Sequence, residues 1–428
     1  MGVIVPNVTC LGCGCLCDDI RVVVDGGRVA EAGNACPIGR GWFLAPRPGT
    51  GHPPSTIEGR AADLGSAAGR AAAILGRARA PVVWGLTGST VEGVAAALEI
   101  ADAIGAVVDL AGSAGRSARL GAFQRVGQVS ATLGEVKDRA DVVVFWGVDP
   151  LATHPRHWER YSVEPRGRFV PDGRAGRTVI AVDAANTATA GASDLFVRLA
   201  PDRQGDALWA LRALVRGLAI DPGRVEAATG LPFAALEDLA GRLARARYGA
   251  FFFSGESIGR GRGGAWAAEG ALLLVRDLNQ GRRFVAIGMG GPGNPGGAEA
   301  VLGWQAGAPS AVDYGGGTPR HLPGEADLAA RLAAGEVDAA LIVADDPALD
   351  LPPGLLALLD EVPTVVVAPG ATAPGRPSAV AFDVARPGIE SGGTVARVDG
   401  VMLPLRPSID AGLPTDREVL EAIAVRLA

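Results

Sequence analysis

The chain has 428 residues, 48% of them hydrophobic, with 62 Gly and 30 Pro. At roughly 150 residues per domain this length points to about two to four domains with a large buried interior. Lys and Arg total 40 against 46 Asp and Glu, a formal net charge of −6, so no global basic field exists to attract nucleic acid or an anionic membrane. The opening MGVIVPNVTC lacks a basic stretch followed by an apolar one, and later apolar runs fall short of the about 20 residues a membrane helix needs. A cytoplasmic location is expected.

All five cysteines lie near the start, at Cys10, Cys13, Cys15, Cys17 and Cys36. Cys10-x2-Cys13-x3-Cys17 with Cys36-Pro37 further on gives a short thiolate loop and one distant partner, a pattern suited to wrapping a 4Fe–4S cubane. Cys15 is left over. Structural zinc and a vestigial site stay open on spacing alone, although the paired CxxC knuckles usual for zinc are absent because Cys36 has no second cysteine beside it. A disulfide framework is disfavoured by the chain length, the odd cysteine count and the lack of an export signal. Between Cys17 and Cys36, IRVVV (Ile20–Val24), the turn Asp25-Gly26-Gly27 and RVAEA (Arg28–Ala32) read as a hairpin that returns Cys36 towards Cys17.

Beyond residue 60, short apolar runs alternate with Ala-rich helical stretches, the rhythm of α/β parallel-sheet domains. Strands are expected at Pro81–Trp84, Val107–Leu110, Val142–Trp146, Thr178–Val182, Ala250–Phe253, Arg283–Ile287, Ala339–Val343 and Thr364–Val367. Helices are expected around Val91–Ile104, Asp206–Leu218, Ala265–Leu278 and Asp416–Leu427. The Pro-, Arg- and His-rich stretch Asp149–Gly176 reads as an irregular loop across a site or subunit face. The expected division is 1–60 as a small cysteine-rich β lobe that binds the cluster, 61–200 and 201–382 as α/β regions, and 383–428 as a small C-terminal lobe with a final helix.

Several strand ends carry candidate chemistry, since ligands of open α/β sheets bind at strand carboxyl ends. The loop GMGGPGNPGG offers Gly290, Gly291 and Gly293 as a phosphate or pterin cradle, although its prolines remove amides. Arg260 and Arg262 in GRGRGG could neutralise a dinucleotide or meet an acidic subunit. The HPRH group of His154, Arg156 and His157 could coordinate a metal or bind phosphate and carboxylate groups, but it lacks a third ligand, and a polar loop stabilised locally or at a subunit contact is the default reading. Asp149 and Asp345 follow strands, and helix capping is the default reading for each. No Ser-His-Asp order or paired carboxylates support a hydrolase site.

Several segments, CLGCGCLCDDI (Cys10–Ile20), CPIGRGWF (Cys36–Phe43), TLGEVKDRADVVVFWGVDPLATHPRHWERYS (Thr132–Ser162), LLLVRDLN (Leu272–Asn279) and GIESGGTVARVDG, together resemble the B subunit of formylmethanofuran dehydrogenase, of the molybdopterin oxidoreductase fold group. The resemblance runs nearly the full length. It implies that Cys10, Cys13, Cys17 and Cys36 are 4Fe–4S ligands, and that the family's fold houses a tungsten or molybdenum bis-pterin centre reducing carbon dioxide to formate.

Three departures bear on that centre: the soft ligand, its neighbouring His and an Arg are missing. Where the family carries a metal-binding Cys or selenocysteine in a Cys-His-Gly-Pro-Ser-like segment, this chain reads Ser113-Ala114-Gly115-Arg116-Ser117; a serine ligates molybdenum in some related enzymes. The family's Met-Arg-Gly-His-like segment has become Met289-Gly290-Gly291-Pro292, without its Arg. Reduction of carbon dioxide needs an anionic metal ligand and positive or hydrogen-bonding groups at the developing formate charge. The chain is therefore expected to resemble the noncatalytic B subunit of the formyltransferase/hydrolase complex of one-carbon metabolism. There a formyl group passes from tetrahydromethanopterin to methanofuran and is hydrolysed on other subunits. The alternative is a working dehydrogenase with an atypical metal ligand.

Overall fold

The computed structural model describes residues 2–259, 263–375 and 377–427. They form a mixed α/β protein with two compact units. One comprises Met1–Ser113, Gly291–Arg397 and Met402–Ala428, the other Ala114–Gly290 and Val398–Val401.

The first unit is built on a nine-stranded sheet. Its centre is Pro81–Gly85, paired in parallel with Val107–Leu110 on one side and Ala339–Val343 on the other, followed by Thr364–Ala368 and Val380–Asp383. The central strands PVVWG and AALIV are buried along their whole length. Such uninterrupted apolar runs belong to a parallel sheet covered on both faces. The helices Leu64–Leu75, Val91–Ile104 and Asp416–Ala424 share one core with this sheet.

Local chemistry sets the helix limits. The Thr90 hydroxyl accepts from the Gly93 amide to start Val91–Ile104, and Gly105 at φ +67° ends it, a left-handed position that glycine adopts without Cβ strain. Thr415 and Glu418 form a reciprocal capping box at the final helix.

The second unit holds a five-stranded, all-parallel sheet in the order Leu195–Arg198, Thr178–Asp183, Val142–Trp146, Tyr248–Phe253, Arg283–Gly288. Alternation along Tyr248–Phe253 sends Phe251 and Phe253 into one core and Phe252 into the other, as the two-residue period of a strand requires.

The compact units do not follow four consecutive segments. Strands after residue 338 pair with strands before 86, so the first unit is discontinuous. The C-terminal segment does form a hairpin, Gly393–Ala396 with Met402–Leu405. Its following helix buries Val419, Leu420 and Ile423 in the main core, and those apolar residues hold it there. The stretch Asp149–Gly176 is not an open loop. It winds into short helical turns, including a π-helix at Trp158–Ser162, and buries His157, Trp158 and Tyr161.

Candidate metal centre

The five cysteines sit beside a three-stranded antiparallel sheet of β1 (Val3–Val8), β2 (Ile20–Asp25) and β3 (Arg28–Gly33). β2 and β3 are the hairpin read from the sequence, extended by one residue each. The thiol loop leaves β1 and is closed by the Cys10 amide donating to the Cys17 carbonyl at 2.9 Å. Within it the Leu16 amide donates to the Cys13 carbonyl at 3.2 Å, and Leu16 takes φ +39°. β3 then delivers Cys36 as the N-cap of α1 (Pro37–Leu44), with Pro37 at the first turn, where a missing amide costs nothing.

Two glycines leave room at the sulfurs. A Cβ on Gly39 would lie 3.0 Å from Cys10 Sγ and 3.8 Å from Cys36 Sγ, so both thiols flank the same bare backbone. A Cβ on Gly12 would meet Cys10 Sγ at 3.4 Å. The Gly12 amide donates to Cys10 Sγ and the Gly39 amide to Cys36 Sγ, each at 3.4 Å. Amides aimed at sulfur favour the thiolate, the form that binds metal.

Cys10, Cys13, Cys15 and Cys17 pack in one cluster with Val8, Ile20, Val22, Ala32, Phe43 and Ile389. Burial pushes the Cys10 thiol up strongly, and the neighbouring Cys17, Cys13 and Cys36 add to that. Cys13 is lowered to about 7, first because the Cys15 thiol hydrogen-bonds its charged form. Cys15 is correspondingly raised by Cys13 and by its burial. All five thiols are free of disulfides. Among the described residues no three His, Cys, Asp or Glu are arranged around a single metal ion.

The glycine-rich loop lies against this region. The Gly293 amide donates to the Leu11 carbonyl at 2.9 Å, and the next amide, of Asn294, donates to the Thr87 carbonyl at 2.6 Å. Asn294 is fully buried; its Nδ2 donates to the Ser89 carbonyl and its Oδ1 accepts from the Ala396 amide. Gly293 has φ +79°, and a Cβ there would stand 2.5 Å from the Thr87 carbonyl oxygen. Its amide therefore serves a tight internal crossing. In the sequence Asn294 is marked by the Asn-Pro step that opens the helix Pro295–Ala306.

The crossing closes the topological switch point of the first unit, between the carboxyl ends of Pro81–Gly85 and Ala339–Val343. There Asp345 accepts from the Thr87 amide and hydroxyl and from the Gly88 amide. Asp345 thus braces the crevice instead of capping a helix, while Asp346 caps the short turn at Pro347–Leu349. Asp149 does not cap with its side chain either. Its carboxylate takes the amide and hydroxyl of Thr189 because the Thr187-capped helix Ala188–Ala192 presents them.

His154 and His157 are both buried but make different contacts. His154 Nε2 meets the Gly290 carbonyl and Nδ1 meets the Thr153 hydroxyl, each at 2.8 Å. His157 packs edge-on to Phe252 and bonds Ser162 Oγ at 3.0 Å. Neither joins a metal set among the described residues. Arg260 and Arg262 lie outside the described residues.

Ser113 starts the helix Ser113–Val126. Asp109, four residues earlier, is pushed up to about 6 by burial; its Oδ2 accepts from the Leu328 amide at 3.0 Å, while Oδ1 is buried without a hydrogen-bond partner among the described residues. The thiolate that the resemblance calls for is absent from Ser113–Ser117, and the arginine from Met289–Pro292. This donor set does not fit a thiolate-ligated metallopterin.

No family model matches the chain. It is 33% identical over 429 residues to the B subunit of tungsten-containing formylmethanofuran dehydrogenase 2 of Methanocaldococcus jannaschii, covering 98% of each chain. The chain belongs to the family of formylmethanofuran dehydrogenase B subunits. The same family includes the B subunit of the formyltransferase/hydrolase complex of Methylorubrum extorquens, 31% identical over 378 residues, 87% of this chain and 96% of that one. In structure, this B-subunit family member is similar to a chain of the Methylorubrum extorquens FhcABCD complex solved with methylofuran. The TM-score is 0.71 at 29% identity, over 87% of this chain and 98% of that one. Acetylene hydratase from Pelobacter acetylenicus shares the fold, with TM-score 0.65 at 12% identity over 99% of this chain and 69% of that one. Among the described residues no helix is long and apolar enough to cross a membrane.

Proposed function

We propose that this chain is the noncatalytic B subunit of a formyltransferase/hydrolase-type complex. It scaffolds partner subunits that carry the formyl chemistry, on parallel-sheet domains of the molybdopterin-oxidoreductase type. The observation that carries this reading is Ser113. At the place of the soft metal ligand stands a serine, and the Met289-Gly290-Gly291-Pro292 turn lacks a cation for developing formate charge. The similarity to a chain of FhcABCD supports the same assignment.

The N-terminal lobe retains a donor set suited to a 4Fe–4S cluster, with Cys10, Cys13, Cys17 and Cys36 as ligands. Buried thiols, sulfur-directed amides and the glycine gap at Gly39 all favour it. When bound, such a cluster supplies one-electron transfer or purely structural cross-linking. In a complex without a metallopterin the second role remains, with metal binding free energy contributing to folding.

Co-expression with partner subunits and measurement of iron, acid-labile sulfide, tungsten, molybdenum and pterin tests both parts. Iron and sulfide without tungsten, molybdenum or pterin is the expected result. Stoichiometric tungsten or molybdenum with pterin overturns the scaffold assignment and establishes the dehydrogenase reading, to which 33% identity with tungsten-containing relatives also points. Zinc without sulfide overturns the cluster.

A further inference from the structure

A second polar site lies far along the chain from the cysteines. At the amino-terminal ends of the strands Val142–Trp146 and Thr178–Asp183, a cavity of about 330 Å³ is lined by Asp141, Val142, Gly176, Thr178, Arg242, Arg245 and Arg247. We propose that this cavity binds a phosphate-type oxyanion.

The charge balance carries the argument. Three guanidiniums line the cavity against one lining carboxylate, with Asp194 also close enough to feel the charge of Arg242. The lining carboxylate is already committed: Asp141 accepts from Arg247 Nε at 2.9 Å and from the amides of Arg247 and Tyr248. Arg242 is paired along its own helix with Asp238 at 2.7 Å, in an ion pair with both side chains partly exposed. Such pairs are weak and exchange readily for a better anion. Arg245 is exposed and has no ion pair or hydrogen bond among the described residues.

Arg177, between the lining residues Gly176 and Thr178, is buried and bonded only to the carbonyls of Ala140, Val163, Pro165 and Lys137. Among the described residues no carboxylate pairs with it.

One effect opposes an anion here. The helix Phe233–Arg245 ends at the cavity, and a helix carboxyl end presents roughly half a negative charge. Stabilising that end explains one basic residue in the last turn. It does not explain Arg242, Arg245 and Arg247 meeting in one cavity. Arginine's planar fork matches the oxygens of phosphate in pairs, and a cleft lined by one sign of charge concentrates the opposite ion. In a chain of net charge −6 this local excess is a departure from the overall field.

Two sources share this chemistry, a free inorganic phosphate species and the phosphates of a nucleotide. Isothermal titration calorimetry on the full chain, with inorganic pyrophosphate and with ADP at fixed ionic strength, separates them. Saturable one-to-one binding of pyrophosphate is expected, weakened about tenfold or more by Arg245→Gln and further by Arg242→Gln added to it. Equal affinity for ADP assigns recognition to the phosphates alone, and tighter ADP assigns the site to a nucleotide. Arg245→Gln removes an exposed, unpaired side chain, so its melting temperature is expected to match the wild type and the comparison stands even where the double variant folds poorly. An absence of saturable pyrophosphate binding, or unchanged affinity in Arg245→Gln, overturns the proposal.

Discussion

His154 Nε2 meets the Gly290 carbonyl at 2.8 Å and so joins the HPRH turn to the start of the glycine-rich loop. A carbonyl only accepts, so Nε2 carries the proton and the neutral ring leaves Nδ1 facing Thr153 Oγ1. Burial lowers His154, and it lowers the fully buried His157 to about 3, with His154 adding repulsion.

The sign of the resulting pH dependence follows from linkage. The unfolded histidines take up protons near 6.5, whereas the folded ones resist, so their contribution is complete above about pH 6.5 and is lost as pH falls. For His157 the loss amounts to about 1.4 kcal/mol per pH unit down to about pH 3. Urea midpoints of wild type and His157→Phe at pH 7.5 and 5.5 measure it. The variant is expected to show the shallower acid dependence, since phenylalanine suits the contacts with Phe145 and Phe252, and Ser162 Oγ keeps the His157 carbonyl. Parallel slopes would place the acid sensitivity elsewhere.

Asp109 acts with the opposite sign. Its folded value of about 6 exceeds the ordinary 3.8 because of burial, so stability falls as pH rises through that window. Asp109→Asn keeps an acceptor for the Leu328 amide and removes the buried charge. It is expected to raise stability above pH 6, by about 3 kcal/mol at most, and to change little at pH 4. Thermal unfolding at the two values checks this, and equal effects at both would contradict it.

Cys36 has two separable roles. As N-cap it accepts from the Gly39 amide, and in the proposed lobe it also ligates iron. Cys36→Ser preserves a capping oxygen, and serine is among the best caps, whereas Cys36→Ala removes both functions at a capping cost of about 1 kcal/mol. If the cluster dominates, both variants lose iron, labile sulfide and thermal stability together. If only the cap matters, Cys36→Ser matches or exceeds the wild type. Gly39→Ala provides a third reading, since its new Cβ would press on Cys10 Sγ at 3.0 Å while improving helix propensity.

The sequence pattern located the parallel strands closely, because fully buried strands such as VVVFW and AALIV are unbroken apolar runs between turns. Short edge strands escaped it: Leu195–Arg198 is half-exposed and carries no long run, and Ser55–Ile57 has only three residues. The cysteine loop was legible from spacing. The bracing around it was not, because Asn294, Asp345 and Thr87 are polar residues whose value depends on partners more than 200 positions away. Asp149 and Asp345 misled for a related reason. A carboxylate after a strand can cap the next turn, but here each found amide and hydroxyl donors brought by a neighbouring segment.

Asn294 is expected to be among the costliest single polar residues to lose. Asn294→Ala would strand the Ser89 carbonyl and the Ala396 amide, and each unsatisfied buried group costs about 1–3 kcal/mol. Asn294→Asp keeps the acceptor for Ala396 but loses the donor and buries a charge. Both are expected to destabilise by more than about 2 kcal/mol in urea unfolding. A loss below about 0.5 kcal/mol, the usual range of surface substitutions, would show that water replaces the amide easily.

Arg47 holds the segment that follows α1 to the C-terminal part of the first unit. Its Nη1 and Nη2 donate to both oxygens of Asp383, at 2.9 and 2.8 Å, and its Nε donates to Glu390 at 3.1 Å. The two acids are not equally dependent on it. Glu390 also accepts from Arg386 Nε and from the Arg386 amide, whereas Asp383 otherwise has the Gly370 amide. Arg47→Met should therefore act mainly through Asp383, at about 3 kcal/mol, the lower end for breaking a buried pair because the arginine keeps some exposure. Arg47→Lys retains charge without the two-pronged fork and is expected to fall between. Combining Arg47→Met with Asp383→Asn should recover much of the loss, since the stranded charge is gone, whereas combining it with Glu390→Gln should not. Equal recovery by both second changes would mean that the three residues act as one undivided network.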